Sequence, residues 1–145
     1  MSRLFEKVTL ADAVGRLCPG MKVLLPAGCG DPAALLAEIL RQAVRLAPLT
    51  LMGGLRLDDY PFAGPEYAGK LRFATWHHSP KLAQAQARGD VDFVPIRYFD
   101  AVRVFADGGA WAPDAVVVHS SPPDGAGYLS LGVSGSYTRF AGTTP

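Results

Sequence analysis

The stretch Met21-Lys-Val-Leu-Leu-Pro-Ala-Gly-Cys-Gly-Asp-Pro32 decides the fold class. Met21–Ala27 is apolar except for Lys22, and a short apolar run of this kind is typical of a strand buried on both faces of a sheet. The glycines on either side of Cys29 predict a tight loop, because glycine adopts backbone angles that other residues avoid. Asp31 is predicted to cap a helix that has Pro32 at its first position. The apolar positions predicted for this helix are Leu35, Leu36, Ile39, Leu40 and Val44.

The same alternation of strand and helix continues in both directions from this unit. Further strands are predicted at Pro48–Met52, Leu71–Trp76, Val91–Ile96 and Asp114–His119, and further helices at Thr9–Leu17, Lys81–Arg88, Tyr98–Phe105 and Ser134–Phe140. The first of these helices begins with a capping box that Thr9 and Asp12 form. Alternating strands and helices predict an α/β fold with an open, mostly parallel sheet that carries helices on both faces. No internal linker interrupts the pattern, so residues 1–145 are predicted to form one domain.

The segment Gly53–Gly69 has no sustained period and is rich in Gly, Pro, Asp and Tyr. Such composition predicts an exposed loop or an irregular excursion, and loops of this kind often carry function.

Composition and charge exclude several classes of protein. Fourteen basic and thirteen acidic residues give a formal net charge of +1, and no basic run could neutralise a row of phosphates, so nucleic acid is not an expected partner. No apolar run approaches the roughly 20 residues that a membrane-spanning helix needs. Two cysteines without a CxxC spacing do not form the framework of a disulfide-rich secreted domain, and a cytoplasmic location is predicted.

Two glycine-containing loops follow predicted strands, and ligands bind in open α/β sheets beyond the carboxyl ends of the strands. The first loop is Pro26–Pro32, which lacks the third glycine of a dinucleotide-binding motif and is otherwise explained as a tight turn between a strand and a helix. The second is His119–Gly132, where two prolines and two glycines predict a rigid turn. This second loop is suited to form the wall of a pocket, but a purely structural hairpin is an equal alternative.

The second loop resembles a known signature. Ser121-Pro-Pro-Asp-Gly-Ala-Gly-Tyr-Leu-Ser-Leu-Gly-Val133 is similar to the SPPDxxGYxSLGV pattern of the acetyl-CoA hydrolase/transferase family, which includes 4-hydroxybutyrate, butyryl and succinyl CoA-transferases. Three further segments fit this family in order, namely Ala11–Val14, Val23–Pro32 and Gly89–Pro95. The resemblance therefore covers nearly the whole chain.

The resemblance implies a two-domain enzyme with the open α/β CoA-transferase fold, of which this chain is the amino-terminal half. Members of the family transfer an acyl group from CoA to a glutamate side chain and then form a glutamyl-CoA thioester, which water attacks in the hydrolases. That glutamate lies in the carboxyl-terminal half, so this chain is predicted to be inactive alone. Coenzyme A is implied as a substrate, with no covalently bound cofactor.

The implied partners are an acyl-CoA, a small carboxylic acid and the carboxyl-terminal CoA-transferase domain. A homo-oligomer is expected as well, because the surface that meets the second domain should be apolar. Two other functions stay open at this point. The chain could be a non-catalytic module that binds acyl-CoA. It could also be a sugar-phosphate isomerase with a related sheet, which is supported only by analogy of fold.

The predicted pocket or interface residues come from the two loops. They are Gly28, Cys29, Gly30, Asp31, Pro32, Ser121, Pro122, Pro123, Asp124, Gly127, Tyr128, Ser130 and Gly132. No catalytic residue and no metal ligand is assigned. Glu6, Glu38 and Glu66 are interpreted as surface acids, Arg41 and Arg45 as solvated, and His77, His78 and His119 as structural or surface residues.

Overall fold

The computed structural model describes residues 6–105 and 111–137 and contains one parallel sheet. The strands are β1 (Lys22–Leu24), β2 (Leu49–Gly53), β3 (Leu71–Thr75), β4 (Val91–Phe93) and β5 (Ala115–Val116), and the helices are α1 (Leu10–Gly15), α2 (Ala33–Arg41), α3 (Ala43–Leu46), α4 (Ala83–Ala87) and α5 (Ala101–Val104). Short 3-10 turns lie at Gly28–Gly30, Pro61–Ala63, Pro65–Tyr67, Pro80–Leu82 and Tyr98–Asp100. In the described chain the strand order is β4-β3-β2-β1-β5, and every neighbouring pair is parallel. The predicted fold class is therefore confirmed.

Successive residues of a strand point to opposite faces of the sheet, so the apolar strands present apolar side chains on both faces. Helices cover both of these faces. On one face the buried residues Val23, Leu51 and Phe73 pack with α1 to α4. On the other face Leu24 and Met52 pack with α5. Both faces of the central strands are thus buried, which explains their continuous apolar sequence.

The capping box at the start of α1 is present as predicted. The Thr9 hydroxyl accepts a hydrogen bond from the Asp12 N–H at 3.1 Å, and the Asp12 carboxylate accepts the Thr9 N–H at 3.4 Å. At the other end of α1, the Arg45 guanidinium donates to the carbonyl oxygens of Val14 and Leu17 at 2.9 Å and 3.0 Å. Arg45 is exposed, in agreement with its interpretation as a solvated residue, but it also satisfies carbonyl groups at the end of a helix, which the sequence did not indicate.

The helix after the glycine loop differs from its prediction both at its first residue and in its later course. Pro32, and not Asp31, is the residue that precedes its first turn, and no side chain caps it. The helix is interrupted at Gln42, and Val44 is 77% exposed, although the sequence pattern predicts it on the apolar face. The interruption changes the direction in which later residues point, so Ala43 is buried in its place.

The segment Gly53–Gly69 is irregular, as its composition predicts, and most of its residues are exposed or half-buried, but part of it packs into the core. Arg56, Tyr60 and Phe62 are buried, and the Phe62 ring lies 4.8 Å from the Phe73 ring, measured between centroids. The aromatic side chains extend the apolar core beyond the carboxyl end of β2.

The helix predicted at Ser134–Phe140 does not form in its described part, because Ser134–Tyr137 is irregular and contains a turn. Residues 138–140 of this prediction lie outside the described chain. No helix within residues 6–105 and 111–137 is long and apolar enough to cross a membrane.

Candidate functional site

The site lies where the strand order reverses. From β1 the chain proceeds to β2, β3 and β4 on one side, whereas β5 pairs with β1 on the other side. Loops that leave neighbouring strands in opposite directions open a crevice at their carboxyl ends, and such a switch point is the usual ligand site of an open α/β sheet. The two loops that flank this crevice are the two that the sequence singles out.

The first loop packs so closely that one of its glycines has no substitute. A Cβ atom on Gly30 would lie 2.8 Å from the Ser134 Oγ and 3.0 Å from the Pro26 Cβ. Gly28 has a φ of +60°, a conformation that favours glycine, and its N–H donates to the Leu55 carbonyl at 2.9 Å. The turn is therefore held against Ser134, just beyond the second loop, on one side and against the segment after β2 on the other.

A buried ion pair holds the end of the same turn. The Arg56 guanidinium donates two parallel hydrogen bonds to the Asp31 carboxylate, at 2.5 Å and 2.9 Å, and the two side chains are only 6% and 11% exposed. Burial raises the pKa of Asp31, while the charge of Arg56 opposes that shift. The Asp31 carboxylate is fully engaged in this pair, which explains why it does not cap α2.

Internal hydrogen bonds make the second loop rigid. The Asp124 carboxylate accepts the N–H groups of Ala126 and Tyr128, both at 2.9 Å. Ser121 and Ser130 are joined twice, through the Ser121 N–H to the Ser130 carbonyl at 2.8 Å and through the Ser130 N–H to the Ser121 Oγ at 3.0 Å. Gly127 has a φ of +87°, which permits the reversal of the chain. The interaction of Asp124 is thus with its own loop, as in other aspartate-nucleated turns.

A cleft of about 300 Å³ lies between the two loops. It is lined by Cys29, His119, Ser120, Ser121, Ser130, Leu131, Gly132, Val133 and Ser134. The lining contains hydroxyl groups, a thiol and an imidazole, of which the Ser121 hydroxyl already donates to the Pro122 carbonyl and accepts the Ser130 N–H, both at 3.0 Å. None of the nine residues carries a carboxylate. The arrangement suits the binding of a small ligand that combines apolar surface with a few hydrogen-bonding groups.

Some of the predicted site residues line one of two adjacent clefts, and the others line neither. Cys29, Ser121, Ser130 and Gly132 line the 300 Å³ cleft, and Asp31 and Pro32 line an adjacent cleft of about 550 Å³ that also contains His119. The remaining predicted residues line neither of these two clefts; they are Gly28, Gly30, Pro122, Pro123, Asp124, Gly127 and Tyr128. Of these, the glycines and Asp124 shape the loops, and Tyr128 is 75% exposed.

Two residues that position the site were not identified from the sequence. One is Arg56, and the other is Tyr137, whose hydroxyl donates to the Leu25 carbonyl at 2.7 Å and accepts the Gly54 N–H at 3.3 Å. Tyr137 thereby joins the carboxyl ends of β1 and β2, and burial raises its pKa. The Asp31 partner of Arg56 and the Leu25 and Gly54 partners of Tyr137 are all more than 20 positions away in sequence, so no local pattern signals these contacts.

The glutamates lie away from the candidate site, and of the three histidines only His119 lines its clefts. No three His, Cys, Asp or Glu side chains in the described ranges come close enough together to hold a metal ion. Glu38 binds Arg41 and Gln42, and these hydrogen bonds lower its pKa to about 2. Glu6 pairs with Arg16 at 2.5 Å, and neither glutamate lines the cleft.

Comparison with known proteins identifies the fold. No family model matches this chain, and no curated protein matches it. Among solved structures, RipA from Yersinia pestis superimposes with a TM-score of 0.80 at 22% identity, over 92% of this chain and 33% of that chain. A 4-hydroxybutyrate CoA-transferase from Porphyromonas gingivalis superimposes with a TM-score of 0.69 at 24% identity, over 92% of this chain and 30% of that chain.

The chain thus spans about a third of the length of the solved structures that it matches. At these identities the likeness shows a fold shared with a CoA-transferase. Membership of the acetyl-CoA hydrolase/transferase family, which the sequence signature implies, stays a prediction.

Proposed function

We propose that the chain is one part of a CoA-transferase, which moves CoA between an acyl-CoA and a small carboxylic acid, or of an acetyl-CoA hydrolase. The observation that carries the proposal is the cleft at the switch point, formed by the two loops that fit the family signature, on a fold that a 4-hydroxybutyrate CoA-transferase shares. In this proposal the cleft binds the reacting end of the acyl-CoA with the help of the Ser130 hydroxyl, which accepts the Gly132 N–H and can donate its own hydrogen to the ligand.

The nucleophile is proposed to come from a further domain. The sequence contains three glutamates, and none of them lines the cleft. An acyl-glutamyl intermediate needs a carboxylate within bonding reach of the thioester carbonyl, so this chain can bind and orient but cannot complete the transfer. The length of the solved neighbours, about three times that of this chain, supports a second domain.

An exposed apolar surface on α5 and on the 3-10 turn that precedes it, Tyr98–Asp100, is a suitable place for that domain. Tyr98, Phe99 and Val102 are 49%, 89% and 37% exposed, and together with Tyr137 they line a depression of about 590 Å³. An exposed cluster of this kind is more typical of an interaction surface than of a free surface. We refer to Tyr98, Phe99 and Val102 as the α5 patch.

The test is a calorimetric titration of acetyl-CoA into the chain, with free CoA and acetate titrated separately. Saturable binding of acetyl-CoA is expected, together with no release of CoA thiol over hours. Absence of any binding would contradict the proposed site, and sustained CoA release by the purified chain would contradict the need for an external nucleophile.

The alternative is a module that binds acyl-CoA without chemistry. It is supported by the same cleft, which lacks a carboxylate. The two functions differ when the chain is combined with a CoA-transferase domain that carries the catalytic glutamate. Turnover by the mixture supports the transferase part, and binding that the second domain never converts into turnover supports the module.

A further inference from the structure

Arg56 is the most completely engaged polar side chain near the cleft. Its Nη1 and Nη2 atoms donate to the Asp31 carboxylate, and its Nε donates to the Asp59 carbonyl at 3.1 Å. The guanidinium also lies 5.9 Å and 5.5 Å from the ring centroids of Tyr60 and Phe62. Three of the five N–H groups of Arg56 donate to these partners, and the side chain is only 6% exposed.

The partner of Arg56 is part of the turn that forms one wall of the cleft. Asp31 directly follows the Gly28–Gly30 turn, whose first N–H is bound by the Leu55 carbonyl, next to Arg56 in sequence. The segment after β2 therefore holds the turn at both of its ends. Cys29, the residue between these two attachments, lines the cleft and is exposed.

The pair also affects the charge near the cleft. Asp31 lines the adjacent 550 Å³ cleft, where an uncompensated carboxylate would repel the anionic groups of an acyl-CoA. A bidentate arginine neutralises this carboxylate and fixes its orientation, which a lysine cannot do equally well.

We propose that Arg56 is a positioning residue of the acyl-CoA site: through Asp31 it holds the Gly28–Gly30 turn, and with it Cys29, in the geometry that the cleft requires. This inference rests on the proposed function only for the identity of the ligand. The geometric part is independent, because the reactivity of Cys29 reports the position of the turn without any ligand.

The experiment uses the full chain with Cys18→Ser, so that Cys29 is the single thiol. The rate of Cys29 modification by a disulfide reagent such as DTNB is measured in native buffer for this background and for Arg56→Gln and Arg56→Lys. In Arg56→Gln the rate is expected to change by about tenfold or more, because removing one partner of a buried ion pair is strongly destabilising locally and releases the end of the turn that carries Cys29. Arg56→Lys keeps the positive charge but cannot form the two parallel hydrogen bonds, and it is expected to give an intermediate rate.

Two control variants separate positioning from general destabilisation. Arg72→Gln breaks the exposed Arg72–Asp92 pair on β3 and β4, and its Cys29 rate should equal that of the background. Ile39→Val lowers stability through the core, away from the pair, and should also leave the Cys29 rate unchanged under native conditions.

The inference is overturned if Arg56→Gln leaves the rate unchanged, or if Ile39→Val changes it as much. Acetyl-CoA titrations of the same variants complete the test. A weaker affinity in Arg56→Gln that Arg56→Lys partly restores supports the link to the ligand site, and an unchanged affinity overturns that link. If the background itself binds no acetyl-CoA, the proposed function fails, and the Cys29 rates alone still decide whether Arg56 positions the turn.

Discussion

At the scale of single residues, close packing makes small changes in the two loops consequential. Gly30 touches Ser134 and Pro26 so closely that a methyl group cannot be added without movement of both loops. Tyr137 supplies one hydroxyl that satisfies two backbone groups of neighbouring strands. Both residues act through contacts with distant parts of the chain, and their effects should therefore appear in global stability.

We expect Gly30→Ala to destabilise the protein by about 1–3 kcal/mol, the usual cost of overpacking a tightly packed site. Urea unfolding followed by circular dichroism measures the change. Gly15→Ala is the matched control, because nothing lies within 4 Å of a Cβ at Gly15 in α1, and it should be neutral or slightly stabilising. Equal stability of the two variants would contradict the close contact between the loops.

Tyr137→Phe should cost about 1–3 kcal/mol, because it removes the hydroxyl and leaves the Leu25 carbonyl and the Gly54 N–H without this partner. Thermal unfolding of Tyr137→Phe and of Tyr128→Phe gives the comparison. Tyr128 is 75% exposed, so its variant should unfold like the parent protein. A parent-like Tm for Tyr137→Phe would show that water replaces the hydroxyl without cost.

At the scale of elements, helix ends and ion pairs on helices make smaller contributions to the stability of the fold than the buried contacts of single residues do. The start of α1 is capped by its own side chains, and its end is satisfied by Arg45 from α3. On α2 the Glu38 carboxylate receives hydrogen bonds from Arg41 and Gln42. The first feature is local in sequence and was predictable, whereas the Arg45 contact depends on how the two helices pack.

Removal of the cap by Thr9→Ala should destabilise the protein by about 1 kcal/mol, the typical value for the loss of an N-terminal cap. Thr9→Ser retains the hydroxyl and should restore most of the stability. Guanidinium unfolding of the three proteins measures this. A Thr9→Ala variant as stable as the parent would mean that α1 does not depend on its capping box.

Stability should depend on pH through Glu38 in a direction that its pKa determines. Hydrogen bonds from Arg41 and Gln42 lower this pKa from 4.5 to about 2 in the folded protein. A lowered folded pKa contributes stability that is present above the unfolded value of 4.5 and is lost as the pH falls from 4.5 toward 2. The Tm difference between the parent and Glu38→Gln should therefore be present at neutral pH and shrink across that range.

Arg41→Gln provides the control for this pH dependence, because it removes the main hydrogen-bond donor to Glu38 while the carboxylate remains. Arg41→Gln should therefore weaken the pH dependence of stability that Glu38 causes. A constant Tm difference between the parent and Glu38→Gln from neutral pH down to pH 2 would contradict the stated role of the carboxylate.

At the scale of the whole molecule, the two faces of the sheet are covered unequally. One face packs against α1 to α4, while on the other the described chain provides α5 and the segment that contains Tyr137. The α5 patch is exposed on this second face. Uneven cover and exposed aromatic side chains together favour association with another domain or another copy of the chain.

The chain is therefore expected to self-associate at high concentration, and Phe99→Ser should reduce this association by removing the most exposed aromatic side chain of the patch. Sedimentation velocity over a range of concentrations measures it. Val44→Ser is the matched control, because Val44 is 77% exposed on α3, which packs against the other face. A parent protein that stays monomeric throughout, or equal effects of both variants, would contradict a specific role of the α5 patch.

The sequence by itself determined the α/β class, the parallel sheet and the two loops of the site. These follow from local signals, namely short apolar runs, glycine and proline positions and the capping box at Thr9, which act within a few residues and need no tertiary contact. The strand order, which places β1 between β2 and β5 and so brings the two loops to one crevice, is not encoded locally. It was decided by the tertiary structure.

The same reason explains the individual errors. Asp31 is of a residue type and at a position that favour a helix cap, but the buried side chain of Arg56, 25 positions later, binds its carboxylate. Gly53–Gly69 is irregular, as predicted, but its side chains Tyr60 and Phe62 are buried against β3, which the sequence pattern does not reveal. Local propensity predicts what a segment does alone, and only the packed structure decides which polar partner or apolar surface is available to it.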